Sequence, residues 1–229
     1  MEPGMNPMII LVPTRGRPMS ATQLLAVHEE LSTASDLLFV IDANDPEHDQ
    51  YEYEVGAERC ITIENETRGM AYPINKATAA IVKQNKYQYF AFLGDDHRPR
   101  TAGWDAQLIA AMQRRPSMAY GNDLLQGKRL PTMIAMTSDI VKALDGMVPP
   151  KMKHLYLDNF WKKLGEDLGA LTYLDDVIVE HMHPVAGKAE WDEGYKAVNA
   201  QEIYSFDALA YQNYIQSEAY AALKKKITR

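Results

Sequence analysis

Two adjacent carboxylates and an imidazole, Asp95, Asp96 and His97, directly follow an apolar, aromatic run at residues 89–93. A short run of this composition predicts a buried β-strand. In open α/β sheets, ligands bind beyond the carboxyl ends of the strands, so these polar side chains would face a ligand. The two carboxylates repel each other unless a cation or a donor lies between them, and a divalent ion that holds a diphosphate would meet that need. The alternative is an Asp-Asp turn that caps the next helix.

Two other predicted strands end in groups that could contact a nucleotide. The first strand leads into the loop at residues 13–18, where Gly16 permits a tight turn and Arg15 and Arg17 could bind phosphate oxygens. The second strand ends at Asp42, whose carboxylate could accept a hydrogen bond from a base or a ribose hydroxyl. A loop with solvated arginines and a turn-forming aspartate are the alternatives. The chain has no glycine-rich phosphate-binding fingerprint, so a metal would have to carry more of the phosphate charge.

A later predicted strand ends in the pair His181 and His183. Side chains two residues apart on a strand point to the same face, so both imidazoles could face one ion. One of them could join Asp96 around a divalent cation. The alternative is a histidine that caps the end of the strand.

Asp158 is a candidate general base at a predicted helix start, although aspartate is also a preferred N-cap residue. Glu166 and Asp167 lie nearby in the sequence and compete for that role. Trp104, in the segment after the acidic cluster, could contact a ligand. Its alternative is to anchor the helix that follows.

The bulk composition is that of a globular protein with one domain. The chain has 229 residues, a net charge of −7 and a pI near 5.4, which argues against a broad nucleic-acid-binding surface. Lysines at 151, 153, 162, 163 and 224–226 could still form a local basic strip. The lone Cys60 excludes an intrachain disulfide and a multi-cysteine zinc site. No run is long enough to span a membrane and the start is not a secretory signal, so we expect a cytoplasmic protein.

The first two-thirds of the chain alternate strand and helix patterns, which predicts a mostly parallel sheet flanked by helices. We expect a single compact domain at residues 1–189 with a C-terminal helical appendage at residues 190–229 packed on it. The predicted strands lie at residues 8–12, 37–41, 59–63, 87–93, 118–120, 133–136 and 171–179. The predicted helices lie at residues 20–31, 69–84, 104–112, 138–144, 155–164 and 207–225.

Taken in order, these segments resemble the GT-A glycosyltransferases, especially the family-2-like group and its small bacteriophage-type members. The resemblance rests on a first strand with a Pro-Thr-Arg loop at residues 9–18, on Asp42, on a small-residue helix at residues 69–77 that contains Asn75, and on the string at residues 92–96. That string matches the Asp-x-Asp motif of the family except at its first acidic position, which is Gly94. The resemblance covers about residues 8–184.

The resemblance implies a Rossmann-like fold and a cleft for a nucleoside-diphosphate sugar, with a uridine nucleotide favoured. It implies that Asp96 binds Mn²⁺ or Mg²⁺, that His183, or alternatively His181, completes the metal shell, and that Asp158 is the base of an inverting transfer. It also implies a set of residues that bind the nucleotide sugar: Pro13, Thr14, Arg15, Arg17, Asp42, Asn75, Asp95 and Trp104.

Two other functions stay open at this point. A nucleotidyltransferase could use the same sheet and acidic strand end, although it would favour a glycine-rich first loop with a lysine. A non-catalytic nucleotide- or sugar-binding module could keep the fold. The departure from the Asp-x-Asp motif at Gly94 is consistent with that alternative. The acceptor of a transferase would be a hydroxyl group of a polysaccharide, a protein or modified phage DNA. A phage-encoded protein would work in the host cytoplasm.

Overall fold

One eight-stranded sheet forms the centre of the protein. A computed structural model describes residues 7–64 and 69–228, and the elements below are those of the described residues. The strands are β1 (Met8–Thr14), β2 (Ser35–Asp42), β3 (Cys60–Ile63), β4 (Tyr89–Phe92), β5 (His97–Pro99), β6 (Met118–Asn122), β7 (Ile134–Thr137) and β8 (Leu171–His181). Their spatial order is β3-β2-β1-β4-β7-β6-β8-β5.

Nine α-helices connect and cover these strands in the described part of the chain. They are α1 (Pro18–Leu31), α2 (His48–Val55), α3 (Ala71–Val82), α4 (Trp104–Ala111), α5 (Ser138–Leu144), α6 (Leu157–Asp167), α7 (Glu193–Val198), α8 (Gln201–Ile215) and α9 (Glu218–Ile227). None of them is both long and apolar enough to cross a bilayer.

The first half of the sheet is parallel and the second half is mixed. Strand β1 pairs in parallel with β2 and β4, and β2 pairs in parallel with β3. Beyond β4, strand β7 is antiparallel to both β4 and β6, whereas β6 and β8 are parallel. The predicted α/β fold is therefore confirmed. The parallel half brings the ends of β1, β2 and β4 to one edge of the sheet, where open α/β sheets bind ligands.

Near-continuous apolar runs form the core strands because both faces of the sheet are covered by helices. Phe39 and Phe90 are fully buried, and Trp161 of α6 lies against Phe92 with ring centroids 5.0 Å apart. Helix α1 begins at Pro18. Proline is favourable in a first helical turn because it has no N–H, and N–H groups in that turn have no acceptor within the helix.

The C-terminal segment is helical, as predicted, and shares the core of the preceding residues. Tyr220, Leu223 and Ile227 of α9 are buried in the same apolar cluster as the sheet. The single helix predicted over residues 207–225 is in fact two helices. Ser217 separates them because its hydroxyl caps α9, accepting a hydrogen bond from the Tyr220 N–H. The domain boundary at residue 189 stays a prediction.

Strand β5 was not predicted, because three residues are too short to show a periodic pattern. It is antiparallel to β8, and this pairing places His97 directly opposite His181. An element that the sequence pattern does not reveal therefore brings the two histidines together.

Candidate active site

A cleft of about 770 Å³ opens at the carboxyl ends of β1, β2 and β4. The loop after β1, Asp42 and the start of α6 all contribute to its lining. All predicted site residues except Asn75 and Trp104 line it: Pro13, Thr14, Arg15, Arg17, Asp42, Asp95, Asp96, Asp158, His181 and His183.

Asn75 and Trp104 make packing contacts away from the cleft lining, and their predicted role in the donor site stays a prediction. The Asn75 amide donates to the Val148 carbonyl (3.0 Å) and accepts from the Met147 and Val148 N–H groups, which fixes that loop. Trp104 is fully buried, and its indole N–H donates to the Ser32 hydroxyl at 2.9 Å. Neither side chain lines the cleft, because each is held by the segment that it anchors.

Both oxygens of Asp95 contact the end of β1 or the loop that follows it. The Thr14 hydroxyl donates to Oδ2 (2.7 Å), and the Arg17 guanidinium lies 3.4 Å from Oδ1. Burial and the adjacent charge of Asp96 raise the pKa of Asp95. Asp95 therefore holds the loop against the acidic strand end.

Asp42 and Arg15 form an ion pair in the lining of the cleft. An Arg15 nitrogen lies 3.2 Å from a carboxylate oxygen of Asp42 and donates to the Asn44 side-chain oxygen at 2.6 Å. Asp42 is largely buried, whereas Arg15 is about half exposed. This part of the cleft offers a carboxylate acceptor beside a guanidinium donor.

Asp96, His97 and His181 form the candidate metal group of the described residues, with one ligand atom from each lying within 4.8 Å of the others. Nε2 of His181 is 3.2 Å from Asp96 Oδ2, and Nδ1 of His97 is 3.4 Å from Asp96 Oδ1. The two imidazoles are stacked with centroids 4.3 Å apart. Burial opposes ionisation of Asp96, but its contacts with His181 and His97 outweigh burial and hold its pKa well below the usual range.

The donor set of this group fits a first-row transition metal. One carboxylate and two imidazoles suit Mn²⁺, whereas Mg²⁺ prefers oxygen ligands alone. The backbone N–H of Gly94 donates to Nδ1 of His97 (3.0 Å), so the proton of the neutral ring lies on Nε2. The lone pair of Nδ1 is engaged by the Gly94 N–H, although Nδ1 itself lies 3.4 Å from Asp96 Oδ1.

His183, the preferred ligand in the sequence-based prediction, lies outside this group, and the alternate His181 lies inside it; which of them binds a metal stays a prediction. Strand β8 ends at His181, so the alternation that would place both rings on one face stops there. His183 instead caps the short turn at residues 184–186, where its Nδ1 accepts from the Val185 N–H at 3.2 Å. Its ring contacts His181 and Tyr195 edge-on.

Gly94 has a steric reason to depart from the Asp-x-Asp pattern. A Cβ atom at this position would lie 2.6 Å from Asp96 Oδ1 and 3.0 Å from His97 Nδ1. No acidic side chain fits there without moving the candidate metal ligands. The glycine therefore belongs to this particular ligand arrangement.

We expect Gly94→Ala to weaken Mn²⁺ binding and to lower stability by about 1–3 kcal/mol, the range for overpacking a tight site. Isothermal titration with Mn²⁺ and thermal melting measure the two effects. The matched control is Gly169→Ala, which has a positive φ but open space around it. That variant should lose stability and keep wild-type Mn²⁺ affinity. Equal Mn²⁺ affinity in Gly94→Ala and wild type would refute the steric account.

Tyr195 and Asp192 from the C-terminal segment complete the metal side of the cleft, and the sequence did not point to either. The Tyr195 hydroxyl donates to Asp96 Oδ2 at 2.8 Å, and the Arg17 guanidinium lies 3.8 Å above the Tyr195 ring. Asp192 accepts two hydrogen bonds from Arg17, at 2.9 and 2.8 Å, and caps α7. Burial opposes the charge of Arg17, but the neighbouring Asp95 and Asp192 outweigh burial and raise its pKa.

Asp158 lies in the first turn of α6 and lines the cleft. The N-cap position belongs to Tyr156, which adopts a left-handed conformation (φ 63°), so Asp158 lies inside the helix rather than capping it. Its carboxylate accepts from the Asn159 N–H, and burial raises its pKa to about 6. Neither Glu166 nor Asp167 lines the cleft.

The loop before α6 is fixed by Asp207 of α8. This fully buried carboxylate accepts hydrogen bonds from three consecutive backbone N–H groups, at residues 153–155. The ring of Tyr156 is stacked on Tyr211 and packs edge-on against Tyr204, both from the same helix. The C-terminal helices therefore support the wall that carries Asp158.

Comparison with known proteins relates the chain to solved structures only. No protein-family model and no curated protein sequence matches it. S. aureus TarS 1–349 in complex with UDP-GlcNAc is similar with a TM-score of 0.66 at 15% identity, over 96% of this chain and 70% of that one. Glucosyl-3-phosphoglycerate synthase from Mycobacterium tuberculosis, in complex with Mn²⁺, UDP and glucosyl-3-phosphoglycerate, has a TM-score of 0.63 at 10% identity, over 93% and 82%.

A third similar structure is the mannosyltransferase PcManGT from Pyrobaculum calidifontis, in complex with GDP-Man and Mn²⁺. Its TM-score is 0.58 at 13% identity, over 96% of this chain and 79% of that one. Identities this low establish a shared architecture rather than a shared substrate. The chain has the GT-A fold of nucleotide-sugar glycosyltransferases.

Proposed function

We propose that this protein is a metal-dependent glycosyltransferase that moves a sugar from a nucleoside-diphosphate sugar to a hydroxyl acceptor. The main observation in support of this proposal is the composition of the cleft. The cleft brings an Asp-His-His metal group, a loop with two arginines and a carboxylate of raised pKa to the ligand-binding edge of a GT-A fold.

Asp96, His97 and His181 would hold the metal, and their chemistry favours Mn²⁺ over Mg²⁺. The ion would supply positive charge to the diphosphate as the bond to the sugar breaks. The similar structures of the mannosyltransferase and of the phosphoglycerate-linked synthase both contain Mn²⁺.

The nucleotide would occupy the part of the cleft near Asp42. There the carboxylate can accept a hydrogen bond from a base or ribose hydroxyl, and Arg15 can approach the phosphates. Pro13 and Thr14, the last residues of β1, would contribute to the same part of the cleft. We favour a uridine nucleotide, since TarS and the synthase are in complex with UDP or UDP-GlcNAc.

Asp158 would be the general base. A buried carboxylate with a pKa of about 6 is ionised at neutral pH and can take the proton of an acceptor hydroxyl. The reacting sugar carbon develops oxocarbenium character, as in glycoside hydrolysis. Attack from the side opposite the leaving diphosphate would invert the configuration at that carbon.

DNA is the acceptor that the surface supports least. Lys163 and Lys224 both pair with Asp167, and Lys162 donates to the Arg129 carbonyl. Because these lysines already have partners within the protein, less of the basic strip is available to bind a phosphate backbone. We therefore favour a carbohydrate or protein hydroxyl as acceptor.

Thermal shift against a panel of nucleoside diphosphates and nucleotide sugars, with and without Mn²⁺, tests the proposal. A ligand at 100 times its dissociation constant stabilises the folded state by about 2.7 kcal/mol, so a bound donor should raise the melting temperature clearly. We expect one nucleotide family to stabilise the protein, and only with Mn²⁺. Stabilisation by nucleoside triphosphates alone would favour a nucleotidyltransferase, and no response to any nucleotide would refute the donor cleft.

A further inference from the structure

Asp123 is a buried carboxylate just beyond β6 that no step of the proposed transfer uses. It is 1% exposed and does not line the cleft. Its Oδ1 accepts hydrogen bonds from the backbone N–H groups of Leu125, Gln126 and Gly127, at 3.0, 2.7 and 2.7 Å. Oδ1 therefore stabilises the loop that follows β6, and Oδ2 makes separate contacts.

The second oxygen, Oδ2, lies behind both candidate metal-binding histidines. The Thr132 hydroxyl donates to it at 2.7 Å, and that same hydroxyl lies 3.4 Å from Nε2 of His97. Because Nδ1 of His97 accepts from Gly94, its Nε2 carries the proton and donates to Thr132. A hydrogen-bonded chain thus runs from the His97 ring through Thr132 to Asp123.

His181 faces the same oxygen directly. Its Nδ1 lies 3.9 Å from Asp123 Oδ2, and its backbone N–H donates to the Asp123 carbonyl at 3.0 Å. That Nδ1 is buried and makes no hydrogen bond to any residue that the structure describes. If Nε2 binds an ion, Nδ1 carries the proton of the neutral ring, and Asp123 is the carboxylate placed to accept from it.

We infer that Asp123 is a positioning residue for the metal group. Its Oδ2 faces Nδ1 of His181 at 3.9 Å and reaches His97 through Thr132, while Nε2 of His181 and Nδ1 of His97 lie beside Asp96. A histidine that binds metal through one ring nitrogen almost always donates its other N–H to a carboxylate, carbonyl or water. Here one carboxylate serves two imidazoles. The inference rests on the proposed function, because it assumes that the Asp96, His97 and His181 group binds metal.

Asp123→Asn tests this role with little change of shape. The asparagine oxygen can still accept from the loop N–H groups, but its NH₂ group cannot accept from His181 or Thr132. We expect Mn²⁺ affinity, measured by isothermal titration on the full chain without any nucleotide, to fall about 10- to 100-fold, the usual effect of losing such a partner. The Mn²⁺ electron paramagnetic resonance spectrum should change as the imidazoles reorient.

Asp105→Asn is the matched control. Asp105 is also fully buried and accepts hydrogen bonds at Thr33, Ala34 and Ser35. The histidine that it reaches, His28 through Ser35, is not a member of the metal group. The Asp105→Asn variant should lose stability and keep wild-type Mn²⁺ affinity. Thr132→Val offers a second variant if Asp123→Asn does not fold, since it breaks only the connection to His97, and we expect a smaller fall in affinity.

The outcomes separate the inference from the proposed function. If the wild type binds Mn²⁺ and both Asp123→Asn and Thr132→Val bind it equally well, the positioning role is overturned and the metal site stands. If the wild type binds no Mn²⁺, both the metal site and the positioning role are refuted. A loss of affinity in Asp105→Asn equal to that in Asp123→Asn would show a general effect of stability and would also overturn the inference.

Discussion

Asp96→Asn is expected to abolish measurable Mn²⁺ binding and to lower the rate of transfer by about 10³-fold or more. Asp96 is the carboxylate of the candidate metal group, and both of its oxygens face an imidazole. Metal stabilisation of a leaving diphosphate is worth several kcal/mol, and about 4 kcal/mol corresponds to a factor of 10³ in rate. Isothermal titration and the rate of nucleoside diphosphate release measure the two losses.

Asp49→Asn is the control for this variant, because it makes the same change on a carboxylate of α2 that is fully exposed. It should retain Mn²⁺ binding and activity. An Asp96→Asn protein that folds, binds Mn²⁺ and transfers sugar at the wild-type rate would show that the metal site lies elsewhere.

Asp158→Asn is expected to lower kcat by about 10²- to 10⁴-fold, the usual contribution of a general base, while donor and Mn²⁺ affinity stay unchanged. The amide cannot accept the acceptor proton, but it can keep the hydrogen bond to the Asn159 N–H. Steady-state kinetics with saturating donor give kcat, and nucleotide titration gives the affinity. Glu166→Gln, an exposed change on the same helix, is the control.

The pH profile distinguishes a base from a structural carboxylate. Burial raises the pKa of Asp158 to about 6, and the base works only when ionised. The rate should therefore fall as pH drops through about 6 and level off above it, and Asp158→Asn should lose this inflection. Unchanged kcat in Asp158→Asn, or a product with retained configuration, would remove Asp158 from the role of inverting base.

The predictable part of the fold is the part governed by local patterns. Apolar runs placed β1, β2 and β4 within one or two residues of their observed bounds, because buried strands need continuous apolar sequence. Polar residues at the ends of these strands could then be predicted to converge, since parallel strands share one edge. Thr14, Asp42, Asp95 and Asp96 all follow this rule.

The residues that were missed or misplaced depend on long-range contacts. Tyr195 meets Asp96 across 99 residues of chain, and no periodicity reports such a contact. The choice between His181 and His183 depended on where β8 ends, and element boundaries are the least predictable feature of a sequence. Trp104 has the residue type of a ligand platform, but its burial beneath Ser32 is set by the packing of α1 and α4.

The most direct test of the account is whether the purified protein releases nucleoside diphosphate from a nucleotide sugar, with Mn²⁺ present and with Mn²⁺ removed by a chelator. Slow hydrolysis of the donor reports on the site even when the acceptor is unknown. We predict release from one nucleotide-sugar family that requires Mn²⁺ and disappears in Asp96→Asn. If the folded protein binds Mn²⁺ but cleaves no nucleotide sugar, the result would contradict a transferase function and favour a non-catalytic binding module.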